Sequence, residues 1–177
     1  TGNEDREVVR QLEAGGVPFA LGAAGNAAPE GQPLSWQVLA PGPDARPDST
    51  NAASLILLAE ASGLSILLLG DSGQEEQAAL LRAYPDLRAD VLKVGHHGSR
   101  DREPGLPAGV GARLALVSVG AENRYGHPNH EVVSESARDG IPLLRTDEYG
   151  SIAVTAGGEG EPGVWVEVAE PRVSGRR

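Results

Sequence analysis

All four histidines of this chain, His96, His97, His127 and His130, fall in one short part of it, among glycines and prolines rather than inside periodic segments. Core histidines would be scattered over element faces. Loops that follow strands are where a rigid scaffold presents reactive side chains. The first pair sits in "LKVGHHGSRDRE", directly behind a short apolar run that contains the chain's only lysine. An acid is delivered the same way: the apolar run "LSILLLGD" stops on Gly70 and hands over Asp71 before a helix. Two neighbouring strands would then present a carboxylate and an imidazole at one edge of a sheet. Carboxylate plus imidazole without sulfur is the ligand set of a hydrolytic zinc or manganese site, in which a bound water is acidified near neutral pH.

On this reading Asp71 and His96 are the candidate metal ligands, because His96 directly follows Gly95 at the strand end. His97 points elsewhere and is a candidate catalytic group that orients substrate. The plainer readings are that Asp71 or Ser72 caps the helix "SGQEEQ", and that the histidines are solvated loop residues. A third stretch, "VSVGAENRYGHPNH", offers an amide, a phenol and an imidazole from Asn123, Tyr125 and His127 on a glycine-bent loop. Such groups suit phosphate oxygens or a leaving group. The plainer reading is a turn into a helix at Pro128 with Asn129 as its cap. His127 is the second candidate catalytic residue, and Ser99, Asn123 and Tyr125 are candidate substrate contacts.

Composition bounds what these residues can do. The 177 residues carry 25 acidic against 15 basic side chains, a formal net charge of -10 that opposes nonspecific attraction to phosphate backbones. A nucleic-acid substrate would need a local site or a metal to hold it. There is no cysteine, so disulfides and thiolate metal sites are excluded. The length fits one domain, expected over 1–170, with 171–177 ("PRVSGRR") as a loose tail. No apolar run approaches the roughly 20 residues that cross a bilayer, and the charged opening is no signal peptide.

The elements that must position the site alternate in type. Residues 4 to 14 place Val8, Val9 and Leu12 at helical spacing. "VPFALGAAG" and "LSWQVLAP" read as strands. "SLILLAEASG" and "LSILLLGD" form an antiparallel pair buried on both faces. "GQEEQAALLRAY" is a helix, "ADVLKVG" a strand, and an irregular segment runs to Gly111. There follow the strand "RLALVSVG", the helix "NHEVVSESARDG", the strand "PLLRT", the turn "DEYG", and the strands "SIAVTA" and "GVWVEVAE". This alternation predicts a layered α/β domain.

The ordered set "LLLGDSGQEE", "DLRADVLKVGHHGS", "LALVSVGAENRYGHPNHEVV" and "LLRTDEYGSIAV" resembles the metallo-β-lactamase-fold domain at the C-terminal end of ComEC-type DNA-uptake proteins. The resemblance runs from about Leu34 to Thr155. It implies an αββα sandwich, of which this chain would be the C-terminal part, with a metal site at one sheet edge. Asp71 would bridge two metals and His96, with His97 as the alternative, would bind the second. Asn123, Tyr125 and His127 match the family's N-x-Y-G-H-P stretch and inherit a site or substrate role.

The implied function is a zinc- or manganese-dependent phosphodiesterase or nuclease acting on incoming, single-stranded DNA. The implied partner is the membrane channel portion of the same polypeptide, and the implied location is extracytoplasmic or membrane-adjacent at a bacterial inner membrane. The sequence departs from the family in one respect that matters. The fold's main H-x-H-x-D-H-like motif has no counterpart, and no histidine precedes His96. Two ligands do not close a hydrolytic site, for which about three protein ligands are usual. The chain by itself is therefore expected to be inactive, as a C-terminal part or a degenerate relative. The alternatives are a non-catalytic docking module of the same membrane protein and a hydrolase of another phosphoester.

Overall fold

The structure, a computed structural model, describes residues 3–168. The tail expected at 171–177 and the last two residues of the expected domain lie outside the described residues.

After the surface helix α1 (Asn3–Ala14), the chain enters β1 (Leu34–Ala40), β2 (Ile56–Ala61) and β3 (Leu64–Leu68), which pair antiparallel in that order. The β2–β3 connection is two residues, Ser62 and Gly63, both at positive φ. That is the mirror-image turn whose twist suits a hairpin. From β3 the chain continues as α2 (Gln74–Ala83), β4 (Val91–Lys93), the short α3 (Leu106–Gly109), β5 (Leu114–Val117), α4 (His130–Arg138) and β6 (Leu143–Arg145). Strands β3 to β6 are parallel neighbours, so the six-stranded sheet runs in strict sequence order. A single turn α5 (Thr146–Tyr149) leads to a separate hairpin of β7 (Ile152–Ala156) and β8 (Pro162–Val166).

Strict order has a geometric consequence. Parallel crossovers are right-handed, so successive crossovers in one direction lay their helices on one face of the sheet. The core lies there. Leu67, Leu92 and Ala115, in register across β3, β4 and β5, pack with Leu80 of α2, Leu106 of α3 and Val132 of α4. Each fully buried Leu contributes about 2 kcal/mol. The opposite face carries the row Leu57, Leu68, Lys93, Leu116 and Leu144, in register from β2 to β6 and only half-buried. The same face also buries Ala59, Leu64, Val91 and Leu114, so the hairpin expected to be buried on both faces is closed by the crossover helices on one and buried in part on the other.

Three further expectations are corrected. "VPFALGAAG" is not a strand: only its last residues reach the β1 segment, where Ala24 and Gly25 donate to Pro41 and Val38, the one isolated bridge, Ala27 to Gln37, lies beyond it, and Phe19 is 48% and Leu21 94% exposed. Apolar alternation forms a strand only where a partner strand and a surface to bury against are in reach. The stretch expected to be irregular up to Gly111 contains α3, and the expected turn "DEYG" is the helical turn α5, where Arg145 pairs with Asp147 and Glu148. Among the described residues, no helix is long and apolar enough to cross a membrane.

Candidate functional site

Strands β3 and β4 end side by side, and their exits are stitched together. The Gly70 carbonyl accepts from the His96 amide at 2.9 Å. Gly70 turns at φ +57, and a Cβ there would stand 2.9 Å from the Ser54 Cβ, so only glycine lets the chain pass this close. The Asp71 amide then donates to Ser54 Oγ at 3.1 Å.

Neither Asp71 nor Ser72 caps α2. The N-cap is Gly73, whose amide donates to Glu76 Oε2 at 2.9 Å, while Asp101 Oδ1 accepts from the Gln74 amide at 3.0 Å. The Ser72 hydroxyl is fully buried and donates to Leu69 O. Capping is thus supplied from the helix's own first turn and from the loop after the histidines, and the Asp71 carboxylate is left for other work.

At the end of β4, His96 (φ 45, ψ 45) and His97 (φ 55, ψ 22) both take left-handed backbone, unusual for side chains other than glycine and worth about 1–2 kcal/mol of strain each. Such strain clusters at functional sites. His96 Nδ1 is buried without a hydrogen-bond partner. The exposed His97 ring places Nδ1 2.7 Å from Ser118 O. A carbonyl can only accept, so Nδ1 carries the proton and Nε2 keeps a lone pair for a proton or a ligand.

The third loop joins these two through Gly98. Its carbonyl accepts from the Asn129 amide at 2.8 Å, and a Cβ on Gly98, at φ +81, would lie 2.6 Å from Pro128 Cβ. The His127 ring is thereby held 5.8 Å, centroid to centroid, from that of His96, which is itself 6.5 Å from that of His97. Burial, and then the neighbouring charges of His96 and His97, push the His127 pKa below the usual imidazole value. The shift favours the neutral, proton-accepting form of His127. Asn129 caps α4 by accepting from the Glu131 amide, as expected.

The structure brings together Asp71's arm, His96, His97 and His127. Ser99 and Asn123 it engages within their own loops: Ser99 Oγ accepts from the Asp101 amide, while Asn123 donates to His127 O and accepts from the Tyr125 amide. Tyr125 is 87% exposed. Lys93, expected to snorkel, donates from Nζ to Val94 O at 2.9 Å. Burial lowers its pKa, and the charge of Asp71 works against that shift.

One residue escaped the sequence reading. Gln77, 2% exposed, donates from Nε2 to Ser72 O at 2.7 Å and accepts at Oε1 from the Glu103 amide at 2.9 Å. Its amide also sits 3.0 Å from where a Cβ on Gly95 would be. It braces the acid arm and both sides of the histidine loop at once. The available signal was a polar residue one turn before Leu80 on the buried face of α2.

Among the described residues, no group of three or more His, Asp or Glu side chains is arranged to hold a metal ion. Asp71 and His96 do not fit a complete centre by themselves.

No family model matches the chain. Curated relatives do. The chain is 40% identical over 121 residues to ComE operon protein 3 of Bacillus subtilis, an overlap of 67% of this chain and 15% of that protein. It is 35% identical over 104 residues to Competence protein ComA of Neisseria gonorrhoeae, covering 58% of this chain and 15% of the relative. The homologues support a competence-protein family. Recombination protein 2 of Haemophilus influenzae is 28% identical over 124 residues, 70% of this chain and again 15% of the relative. The chain thus spans about 15% of the length of the competence-protein relatives it matches.

Proposed function

We propose that this segment is part of a metal-dependent phosphodiesterase domain of the metallo-β-lactamase type, acting on single-stranded DNA in a competence protein. The supporting observation is the hydrogen bond from His96 N to Gly70 O, which sets the residue beside Asp71 against a histidine whose Nδ1 is buried without a partner. On this reading Asp71 and His96 supply two ligands, and the rest of a zinc or manganese centre comes from outside this chain. Three features agree with a domain that continues: the half-buried apolar sheet face opposite the helices, the two-stranded β7–β8 sheet, and the small share of each relative covered. His97 Nε2 is placed to accept a proton, and the ring of His127, which lines the same groove, is a second candidate acceptor. The protein's location at a membrane channel is part of the same proposal.

The test uses the full-length protein with manganese or zinc and a labelled single-stranded oligonucleotide. Asp71→Ala and His96→Ala should each lower cleavage by about 100-fold or more and lower bound metal per protein. Wild-type cleavage and metal content in both variants would overturn the assignment.

A second reading, a non-catalytic docking module, is favoured by Lys93. The Asp71 charge favours the charged form of Lys93 against the effect of burial, so part of the acid's field is answered within this chain. Wild-type protein that binds no metal and cleaves no DNA would decide for that reading.

A further inference from the structure

We infer that Tyr125, backed by His127, is a stacking platform for a base of single-stranded nucleic acid. The inference rests on the reading of this segment as acting on DNA, and adds the subsite that would hold the strand.

The geometry is that of a prepared surface rather than a loose side chain. The Tyr125 ring lies nearly parallel to that of His127, at 17° and 6.3 Å between centroids. The imidazole thus lies offset beside the ring at nearly the same tilt, and the residue as a whole stays 87% exposed. The backbone beneath is tied down. Tyr125 N donates to Asn123 Oδ1 at 2.9 Å, and Asn123 Nδ2 donates to His127 O at 2.5 Å. Both polar ends of Asn123 are used to fix the loop that carries the ring. Little ordering of the platform is left for the moment of binding.

The surroundings point to a nucleotide. Tyr125 lines an open groove of about 540 Å³ together with His97, Asn123, Arg124 and His127. Two steps, 6.3 Å and then 5.8 Å, lead from the Tyr125 ring through His127 to His96. A base laid on Tyr125 would thus direct its sugar and phosphate along a path flanked by imidazoles, with the Arg124 cation next in sequence. Every base has a π face, so such a platform is tolerant of sequence. In a duplex those faces are covered by neighbouring pairs, so the ring selects unpaired strands. The platform also answers the acidity of the chain, because stacking attracts a strand without a field of positive charge.

The test measures binding, not cleavage, of fluorescent 20-mers by the full-length protein in EDTA. One strand is oligo-dT, and one has the same length and charge but abasic residues. Oligo-dT is expected to bind about tenfold more tightly than the abasic strand. Tyr125→Ala should bring oligo-dT down to the abasic level and leave the abasic strand unchanged, while Tyr125→Phe and Tyr125→Trp keep the preference. Equal binding of both strands by wild type, or an unchanged preference in Tyr125→Ala, overturns the platform and leaves the phosphodiesterase reading standing. A base preference that Tyr125→Ala abolishes, in a protein that cleaves no DNA with added metal, keeps the platform and overturns the phosphodiesterase. Binding of neither strand overturns the platform and the DNA reading together.

Discussion

The amide of His96 and the carbonyl of Gly70 meet at 2.9 Å, so the candidate imidazole ligand and the residue before the candidate acid share one hydrogen bond. This contact lies beyond the last paired residues of β3 and β4, and it extends the parallel ladder by one rung just where the chain must turn out of the sheet. Asp71 and His96 are thus placed by backbone, not by the reach of their side chains. The same region contains Gln77, which ties the Ser72 carbonyl to the Glu103 amide.

Gln77→Ala should therefore destabilise the fold by about 2 kcal/mol. It removes two hydrogen bonds in a buried place and leaves a carbonyl and an amide unpaired, each worth roughly 1–3 kcal/mol. Urea unfolding checks it. Gln77→Glu separates packing from bonding, since a carboxylate still accepts from Glu103 but no longer donates to Ser72.

His96→Gly should stabilise the protein by about 1 kcal/mol while abolishing any metal binding. It relieves the left-handed strain of a non-glycine residue and removes a buried, unpartnered Nδ1, against the backbone entropy of a new glycine. The check is thermal or urea unfolding in EDTA, and a loss of stability would show that His96 is held there for packing.

His127 should titrate below 6.5 in metal-free protein, read from its imidazole resonances by NMR. Because burial leads the causes and the His96 charge follows, His96→Ala should raise the value only part of the way back. The sign for stability follows. A histidine with a lowered folded pKa binds its proton less readily folded than unfolded. Its contribution is therefore complete above pH 6.5 and is lost as pH falls from there toward the folded value. A His127 value at or above 6.5 would contradict the geometry.

Lys93 is the chain's only lysine, so reductive ¹³C-methylation gives a single side-chain signal. Its pKa should lie below 10.5, and Asp71→Asn should lower it further, because the carboxylate is what opposes the effect of burial. Since the unfolded chain holds this proton more tightly, stability should rise with pH as Lys93 loses its charge. An unchanged Lys93 value in Asp71→Asn would place the two charges out of reach of each other.

The amino-acid sequence by itself determined the order and type of most elements. Periodicity two or 3.6, with Gly and Pro punctuation, is local information, and β1 to β8, α1, α2 and α4 follow from it. It also determined that carboxylate and imidazole stand at strand exits, since "LLLGD" and "LKVGHH" both stop on glycine. What the tertiary structure decided is non-local. "VPFALGAAG" has strand alternation but meets the β1 segment only at its end, through Ala24 and Gly25. The plainer reading of Asp71 or Ser72 as a cap falls because Glu76 and Asp101 take the first amides of α2. His127 comes to lie 5.8 Å from His96, across 31 positions of sequence, because the Gly98 carbonyl bonds the Asn129 amide and no Cβ intervenes. Contacts of this kind depend on which loops the sheet order brings together, and sheet order is set by packing all the crossover helices on one face.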